Sequence, residues 1–287
     1  MMSMIALFAV VGSFLGGDTT GRTSNEQMVE SLIANERAFS VCSVTSGTDS
    51  SFLAYIDDDG VLLRPRPVKG KPWLQGHHRT SNSELSWAPA WVIVAASGDL
   101  GFTFGPWEWR EHRDSPAPSA AGEFVTAWKR QVSGEWKFVF DTGIDYAGAA
   151  EKPVRVDRLQ PLWHQGTTVA ADTSDEIFRT IDGPGIESRS DSSDVLDPDV
   201  VLQRQGLHSI RGMQAVKTYL SSQRTPSLRH LENAMVARAG DLAYSYGLVR
   251  RNGVGSAVVE SCYFTIWRRS ENGGWRILLD NEGEEIR

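Results

Sequence analysis

The chain contains the same order of motifs twice, and this duplication limits its fold more than any other feature. "GDLGFTFG" returns as "GDLAYSYG" at a step of 142 residues (98 to 240). "FVTAWKR" and "YFTIWRR" place Trp128 and Trp267 at a step of 139, and "GEWKFVFD" and "GGWRILLD" place Asp141 and Asp280 at the same step. Self-similarity at a nearly fixed period indicates a duplicated structural unit. The step changes only in turn-like stretches, where loops tolerate insertions.

The duplication predicts two domains, at residues 23–145 and 172–287, joined by a linker at residues 146–171 that is rich in small residues and proline. A domain of about 120 residues has a usual size. In each copy, helical periodicity comes first and alternating strands follow it. The predicted fold class is therefore α+β, with a mostly antiparallel sheet after N-terminal helices.

The strand pattern also predicts which side chains share a face. In the first copy we expect strands at about 85–96, 102–110, 123–130 and 136–141. Side chains alternate between the two faces of a strand. On the last strand this alternation predicts Lys137, Val139 and Asp141 on the inner face.

Composition is that of an ordinary soluble globular protein, with 40% hydrophobic residues and a net charge of −7. The sequence shows no basic stripe of the kind that nucleic-acid binding needs, so no nucleic-acid partner is predicted. Cys42 and Cys262 fall at non-equivalent positions of the two copies. They predict neither a disulfide framework nor a metal site.

The N-terminus carries an apolar segment, "MIALFAVVGSFL" at residues 4–15. It is too short to span a bilayer and is similar to the apolar region of a secretory signal peptide, although no Lys or Arg precedes it. We expect residues 1–22 to be a signal peptide and the protein to be exported, periplasmic or secreted, with no membrane attachment after cleavage. The alternative is an N-terminal arm on a cytoplasmic protein.

Motif order in the first copy resembles a known family. A helix, then "AYIDDDGVLLRP", a Gly-led turn, "ASGDLGFTFGPWEWR" and "FVTAWKRQVSGEWKFVFD" follow each other as in the SnoaL-like branch of the nuclear-transport-factor-2-like superfamily. The resemblance covers nearly all of residues 25–145 and, more loosely, 172–285. It implies two tandem cone-shaped domains, each a curved sheet wrapped around helices with an apolar pocket at its open end. It also implies sheet-to-sheet packing as an intramolecular pseudo-dimer, and relatives of this kind form homo-oligomers.

The superfamily includes cofactor-free enzymes and non-catalytic binding domains, so function has to be argued from the site. Some of the enzymes carry a pocket acid on the last strand, where this chain has Asp141. A carboxyl group in an apolar pocket can act as a general acid near neutral pH. The stretch where ketosteroid isomerase has its base, "LLRPRPVKG", contains no acid. The alternative interpretation is that Asp141 ends its strand and caps the turn "DTG".

Tryptophans predict the binding site. Trp107 and Trp109 share a strand face with small residues, and the second copy has Val249 and Arg251 instead. They indicate either an aromatic-lined pocket or packing between the domains. We expect small-molecule handling in the first domain, by a cofactor-free lyase, isomerase or hydrolase using Asp141 or by a non-catalytic ligand-binding or scaffold protein. The predicted substrate-binding residues are Tyr55, Arg64, Trp73, Trp107, Trp109 and Glu123.

Overall fold

A computed structural model describes residues 20–77, 82–162, 183–184, 186, 195–223, 227–253 and 258–286. The apolar segment 4–15, on which the predicted export signal rests, lies outside these residues. None of the helices in these ranges combines the length and apolar character that crossing a membrane requires.

The first domain begins with two helices, α1 (Thr20–Ser46) and α2 (Thr48–Tyr55), and a third, α3 (Gly70–Gly76), follows β2. Its strands are β1 (Ile56–Leu63), β2 (Pro67–Lys69), β3 (Glu84–Trp87), β4 (Trp91–Val94), β5 (Leu100–Arg110), β6 (Ala120–Arg130), β7 (Trp136–Tyr146) and β8 (Asp157–Arg158). They form one sheet in the order β2-β1-β7-β6-β5-β4-β8, with β3 also paired to β5. The apolar stripe of α1, including Leu32 and Phe39, packs against Trp128 and Phe138 of the sheet.

The second domain repeats this arrangement. Its elements are β9 (Gly183–Pro184), β10 (Leu196–Arg204), β11 (Ile210–Arg211), α4 (Met213–Ser222), β12 (Ser227–Val236), β13 (Leu242–Asn252), β14 (Val258–Arg269) and β15 (Trp275–Ile286). The sheet order is β11-β10-β15-β14-β13-β12-β9. In both sheets the first long strand pairs in parallel with the last one, and Asp141 and Asp280 lie opposite Thr126 and Thr265. The predicted tandem α+β cone fold is confirmed.

A β-bulge in the last strand, β7, changes which of its side chains face the inside of the cone. Phe138 pairs with Trp128 but Phe140 pairs with Ala127, so Val139 is an extra residue on β7. The bulge keeps Phe138 inside the cone and sends both Val139 and Phe140 to the cluster between the sheets. The predicted inner placement of Lys137 and Val139 is therefore wrong, because Trp136 and Phe138 take the inner positions, whereas Asp141 does face inward. The second domain has the same bulge, at Leu278.

The outer faces of the two sheets pack on each other. The rings of Phe140 and Phe264 stack with their centroids 4.5 Å apart. The duplicated "GDL" turns also meet. The backbone N–H of Ala96 donates to Asp241 Oδ2 over 2.7 Å, and the equivalent N–H of Arg238 donates to Asp99 Oδ2 over 3.2 Å. The repeated motif therefore forms a reciprocal contact between the domains.

Two segments differ from the predicted boundaries. The last strand of the first domain runs to Tyr146 rather than ending at residue 141, because it stays paired with β6 up to Ala121. Part of the predicted linker also belongs to the first domain, since β8 pairs in parallel with β4 and Val156 joins the first core. Residues 163–171, the end of the predicted linker, lie outside the described residues.

Candidate functional site

The first domain contains a cavity of about 700 Å³ between its helices and its sheet. Seven aromatic side chains line it: Phe39, Phe52, Trp73, Trp87, Trp107, Trp109 and Phe124. Asp141 and Arg64 add polar groups to the lining. Residues of the second domain, among them Gln205 and Glu284, contribute to the rim. The cavity therefore lies in the first domain but is completed by its neighbour.

Trp107 lies flat on the sheet because two glycines leave room for it. A Cβ atom on Gly122 would lie 2.6 Å from the Trp107 ring, and one on Gly143 would lie 3.3 Å from its Nε1. The indole Nε1–H donates to the carbonyl of Ile144 over 3.2 Å. A larger residue at Gly122 or Gly143 would collide with the Trp107 ring, so these two glycines allow this part of the cavity wall to form.

Asp141 lies in the middle of β7 and not at the end of a strand, so it does not cap the turn that the alternative interpretation assigned to it. Its side chain faces the cavity and is 9% exposed. The hydroxyl of Thr126, directly opposite on β6, donates to Asp141 Oδ2 over 2.8 Å. This bond orients a carboxylate that a ligand in the cavity can reach.

Glu36 is a second buried acid, and the sequence analysis did not identify it. It lies on α1, is fully buried, and accepts hydrogen bonds from Trp87 Nε1 (2.6 Å), from Trp128 Nε1 (3.0 Å) and from the Thr103 hydroxyl. Burial raises the pKa of Glu36 to about 7, although the bonds from Thr103 and Trp87 lower it; the nearby charge of Asp141 raises it further. Burial raises the pKa of a carboxyl group because it disfavours the charged form.

The sequence does contain a signal for Glu36. It interrupts the apolar face of α1 that Val29, Leu32, Ile33 and Phe39 form, one turn after Leu32. A charged residue in such a stripe has to find buried partners. Through its bond to Trp87, Glu36 fixes one wall of the cavity.

Arg64 and Trp73, both predicted as binding residues, lie together on the cavity lining. The Arg64 guanidinium carbon is 5.3 Å from the centre of the Trp73 ring, and Nη1 donates to the carbonyl of Leu63 over 2.7 Å. The His77 ring stacks on Trp73, with the ring centroids 4.4 Å apart. The cavity thus brings together five predicted residues: Arg64, Trp73, Trp107, Trp109 and Asp141.

Two predicted residues lie elsewhere. Tyr55 ends α2 and stacks on Phe39 at 4.8 Å, so it supports the core behind the cavity. Glu123 points away from the cavity, because Phe124 takes the inner position next to it on β6. Glu123 instead accepts hydrogen bonds from the Ser209 N–H (3.0 Å) and from Arg211 (3.2 Å) of the second domain. Its prediction as a substrate-binding residue is corrected to an interdomain contact.

The equivalent place in the second domain is filled by ion pairs. Asp280 is fully buried and accepts bonds from Arg204 (2.8 Å), from Arg229 (2.7 and 2.9 Å) and from Thr265 (2.8 Å). Burial alone would raise the pKa of Asp280, but the charges of Arg229 and Arg204 outweigh it and hold the pKa well below its usual range. By sheet register, Arg204 corresponds to Arg64 of the first domain.

The structure offers no metal centre in the ranges it describes: no three His, Cys, Asp or Glu residues there are grouped so that they could hold an ion.

Comparisons with known proteins concern the fold. No family model matches the chain, and no curated protein matches it. Among solved structures, a ketosteroid isomerase-like protein from Erwinia carotovora atroseptica is 14% identical, with a TM-score of 0.33, over 42% of this chain and 99% of that one. An NTF2-like protein with a cystatin-like fold from Novosphingobium aromaticivorans is 18% identical (TM-score 0.30; 39% of this chain, 79% of that one). A conserved protein from Planctomyces limnophilus is 20% identical (TM-score 0.30; 39% and 98%).

Proposed function

We propose that the first domain binds a small, largely apolar molecule and that Asp141 is its polar anchor. The observation that carries this proposal is the cavity of about 700 Å³ with seven aromatic side chains and a buried carboxylate in its lining. Ligand sites are typically about 300–1,000 Å³, mostly apolar, with few polar groups that fix orientation. In the second domain the described side chains bonded to Asp280 are instead those of Arg204, Arg229 and Thr265.

A neutral apolar dye, N-phenyl-1-naphthylamine, tests the binding proposal by its fluorescence. We expect one dye per chain. Ala120 lines the cavity, and Ala120→Phe fills it, so this variant should lose dye binding. Val259 lies opposite Arg251 as Ala120 lies opposite Trp109, which makes Val259→Phe the matched control in the second domain. Unchanged dye binding by Ala120→Phe, or its loss in Val259→Phe alone, would contradict the proposal.

A second candidate is acid–base catalysis without a cofactor. It is supported by two buried carboxyl groups in one cone, Asp141 at the cavity and Glu36 behind it, the latter with a pKa raised by burial to about 7. Enzymes often use pairs of titratable groups whose environments separate their pKa values. In this case Asp141 would exchange a proton with the ligand.

Deuterium exchange into the enolisable ketone 2-tetralone, followed by NMR, separates the two candidates. A general acid or base contributes about 10²–10⁴ in rate, so Asp141→Asn should lower a catalysed exchange by that factor. If deuterium enters the ketone no faster with the unsubstituted protein than in buffer, while the protein still binds the dye, catalysis of this kind is rejected. The binding proposal then remains.

A further inference from the structure

The second domain places one of its own arginines where the first domain has its cavity. Arg229 makes a two-point contact with Asp280, with Nη1 2.7 Å from Oδ1 and Nη2 2.9 Å from Oδ2. Nη1 also donates to the Thr265 hydroxyl over 3.0 Å. The guanidinium carbon lies 4.4 Å from the centre of the Tyr263 ring. The domain thus contains a complete recognition site for a planar cation, occupied by a side chain.

The first domain keeps the recognising groups of that site. Asp141 corresponds to Asp280, Thr126 to Thr265 and Phe124 to Tyr263, by the shared pairing of the last two long strands. Thr126 donates to Asp141 over 2.8 Å, as Thr265 does to Asp280 over 2.8 Å. Both Asp141 and Phe124 line the cavity.

The residue at the position of Arg229 is different. Trp87 pairs with Trp107 as Arg229 pairs with Val249, so the two occupy the same place on the sheet. The Trp87 indole donates to Glu36 over 2.6 Å, and its ring lies on the cavity wall. The first domain therefore has an uncharged ring, 6.4 Å from the Phe124 ring, where the second domain has a guanidinium, and Asp141 and Phe124 line the cavity beside it.

We propose that the ligand of the first domain carries a planar amidinium or guanidinium group that contacts Asp141 and lies over the ring of Phe124, as Arg229 does with Asp280 and Tyr263. This inference rests on the proposed binding function and adds the chemical class of the ligand. Charge-assisted two-point contacts to a carboxylate are about twice as strong as neutral hydrogen bonds and add geometric selectivity. Ring faces attract cations as well.

The rest of the cavity fits an aromatic body on this cation. Trp107 and Trp109 line the same cavity as Asp141 and offer apolar ring faces farther along the sheet. At the rim, Asp145 and Glu284 add negative charge. Arg64 is the cation that the described lining contains, and it lies over Trp73 at 5.3 Å. The described lining therefore carries three carboxylates and one guanidinium, which favours a cationic ligand over an anionic one.

Three probes of the same shape test the class: biphenyl-4-carboxamidine, biphenyl-4-carboxamide and biphenyl-4-carboxylate, titrated calorimetrically into the full chain near neutral pH. We expect the amidinium to bind at least about tenfold more tightly than the neutral amide, and the carboxylate to bind most weakly. Equal affinities, or tightest binding by the carboxylate, would overturn the cationic class and leave the binding function intact. If no probe binds and the neutral dye does not bind either, both proposals fail.

Variants locate the cation. Asp141→Asn should remove the preference for the amidinium while the amide affinity changes by less than about twofold, since only the charged partner is lost. Glu135→Gln removes the same charge from an exposed turn of the same domain and should leave the preference unchanged. If Asp141→Asn does not fold, Phe124→Leu should still lower the amidinium preference by several-fold. A preference that survives both substitutions would place the cation elsewhere.

Discussion

In the first domain Asp141 borders a cavity of about 700 Å³, whereas Asp280, at the same point of the second domain, lies between two arginines. The order of the long strands, the bulge before the acid and the threonine opposite it are the same in both, whereas the edge strands β8 and β9 differ in their place along the chain and in direction. The two domains therefore place different side chains around the same acid on corresponding strands.

Four equivalent positions on the described strands differ in charge or size. In the first and second domains they are occupied by Trp87 and Arg229, Trp107 and Val249, Trp109 and Arg251, and Gly143 and Glu282. Buried charges require partners, and in the second domain Glu282 binds Arg251 through two short contacts. Tryptophans need no such partners. They form walls and leave space between them.

The largest expected effect is on the stability of the second domain. Asp280→Asn leaves Arg204 and Arg229 buried beside a neutral group, and breaking a buried pair typically costs about 3–5 kcal/mol. Asp141→Asn should cost less than about 3 kcal/mol, the upper value for a hydrogen bond to a charged group, because the amide oxygen can still accept from the Thr126 hydroxyl. Denaturant unfolding of both variants measures the difference. Equal losses would mean that the two acids have the same structural role.

A somewhat smaller effect concerns pH. The folded pKa of Glu36 is raised to about 7 from 4.5, so burial of Glu36 opposes folding once the carboxyl ionises. The free energy of unfolding should therefore fall as pH rises from about 4.5 to about 7, by about 3 kcal/mol relative to Glu36→Gln, and stay level above that range. Unfolding titrations of both proteins across this range test it. A parallel pH dependence in the two would show that Glu36 does not titrate there.

The smallest effect distinguishes the two "GDL" turns. Asp241 is fully buried and accepts from the Ala96 N–H, so Asp241→Ala should cost about 1–3 kcal/mol by leaving that donor unsatisfied. Asp99 is partly exposed and contacts the exposed Arg238, so Asp99→Ala should cost about 0–1 kcal/mol. Thermal unfolding compares them. A larger loss for Asp99→Ala would contradict the burial difference.

Much of the fold was predictable because the repeat is written in the sequence. The paired motifs around Trp128 and Trp267 predicted two domains. The alternation of side chains along β5 predicted that Trp107 and Trp109 share a face. Alternation failed on β7, because the extra residue Val139 depends on pairing with β6, which one strand's pattern does not contain. The end of that strand, at Tyr146, was missed for the same reason.

The site was predictable only in part. Asp141 was predicted from the family resemblance and from its repetition as Asp280. Glu36 was missed because its buried partners Trp87, Thr103 and Trp128 lie on strands far away in sequence, which the periodicity of α1 does not show. Glu123 was misplaced because a strand residue next to the cavity points to either face, and the neighbouring domain that binds Glu123 is not visible from local pattern. The replacement of Trp87 by Arg229 becomes meaningful only once the register of both sheets is known.

The most direct measurement follows the indole N–H signals in a ¹⁵N–¹H NMR spectrum during titration with N-phenyl-1-naphthylamine. Trp107 and Trp109 line the first cavity, while Trp267 and Trp275 pack in the core of the second domain. Single Trp→Phe variants assign the signals. We expect the signals of Trp107 and Trp109 to shift with dye concentration and those of Trp267 and Trp275 to stay in place. Shifts confined to Trp267 and Trp275, or no shifts at saturating dye, would contradict a ligand site in the first domain.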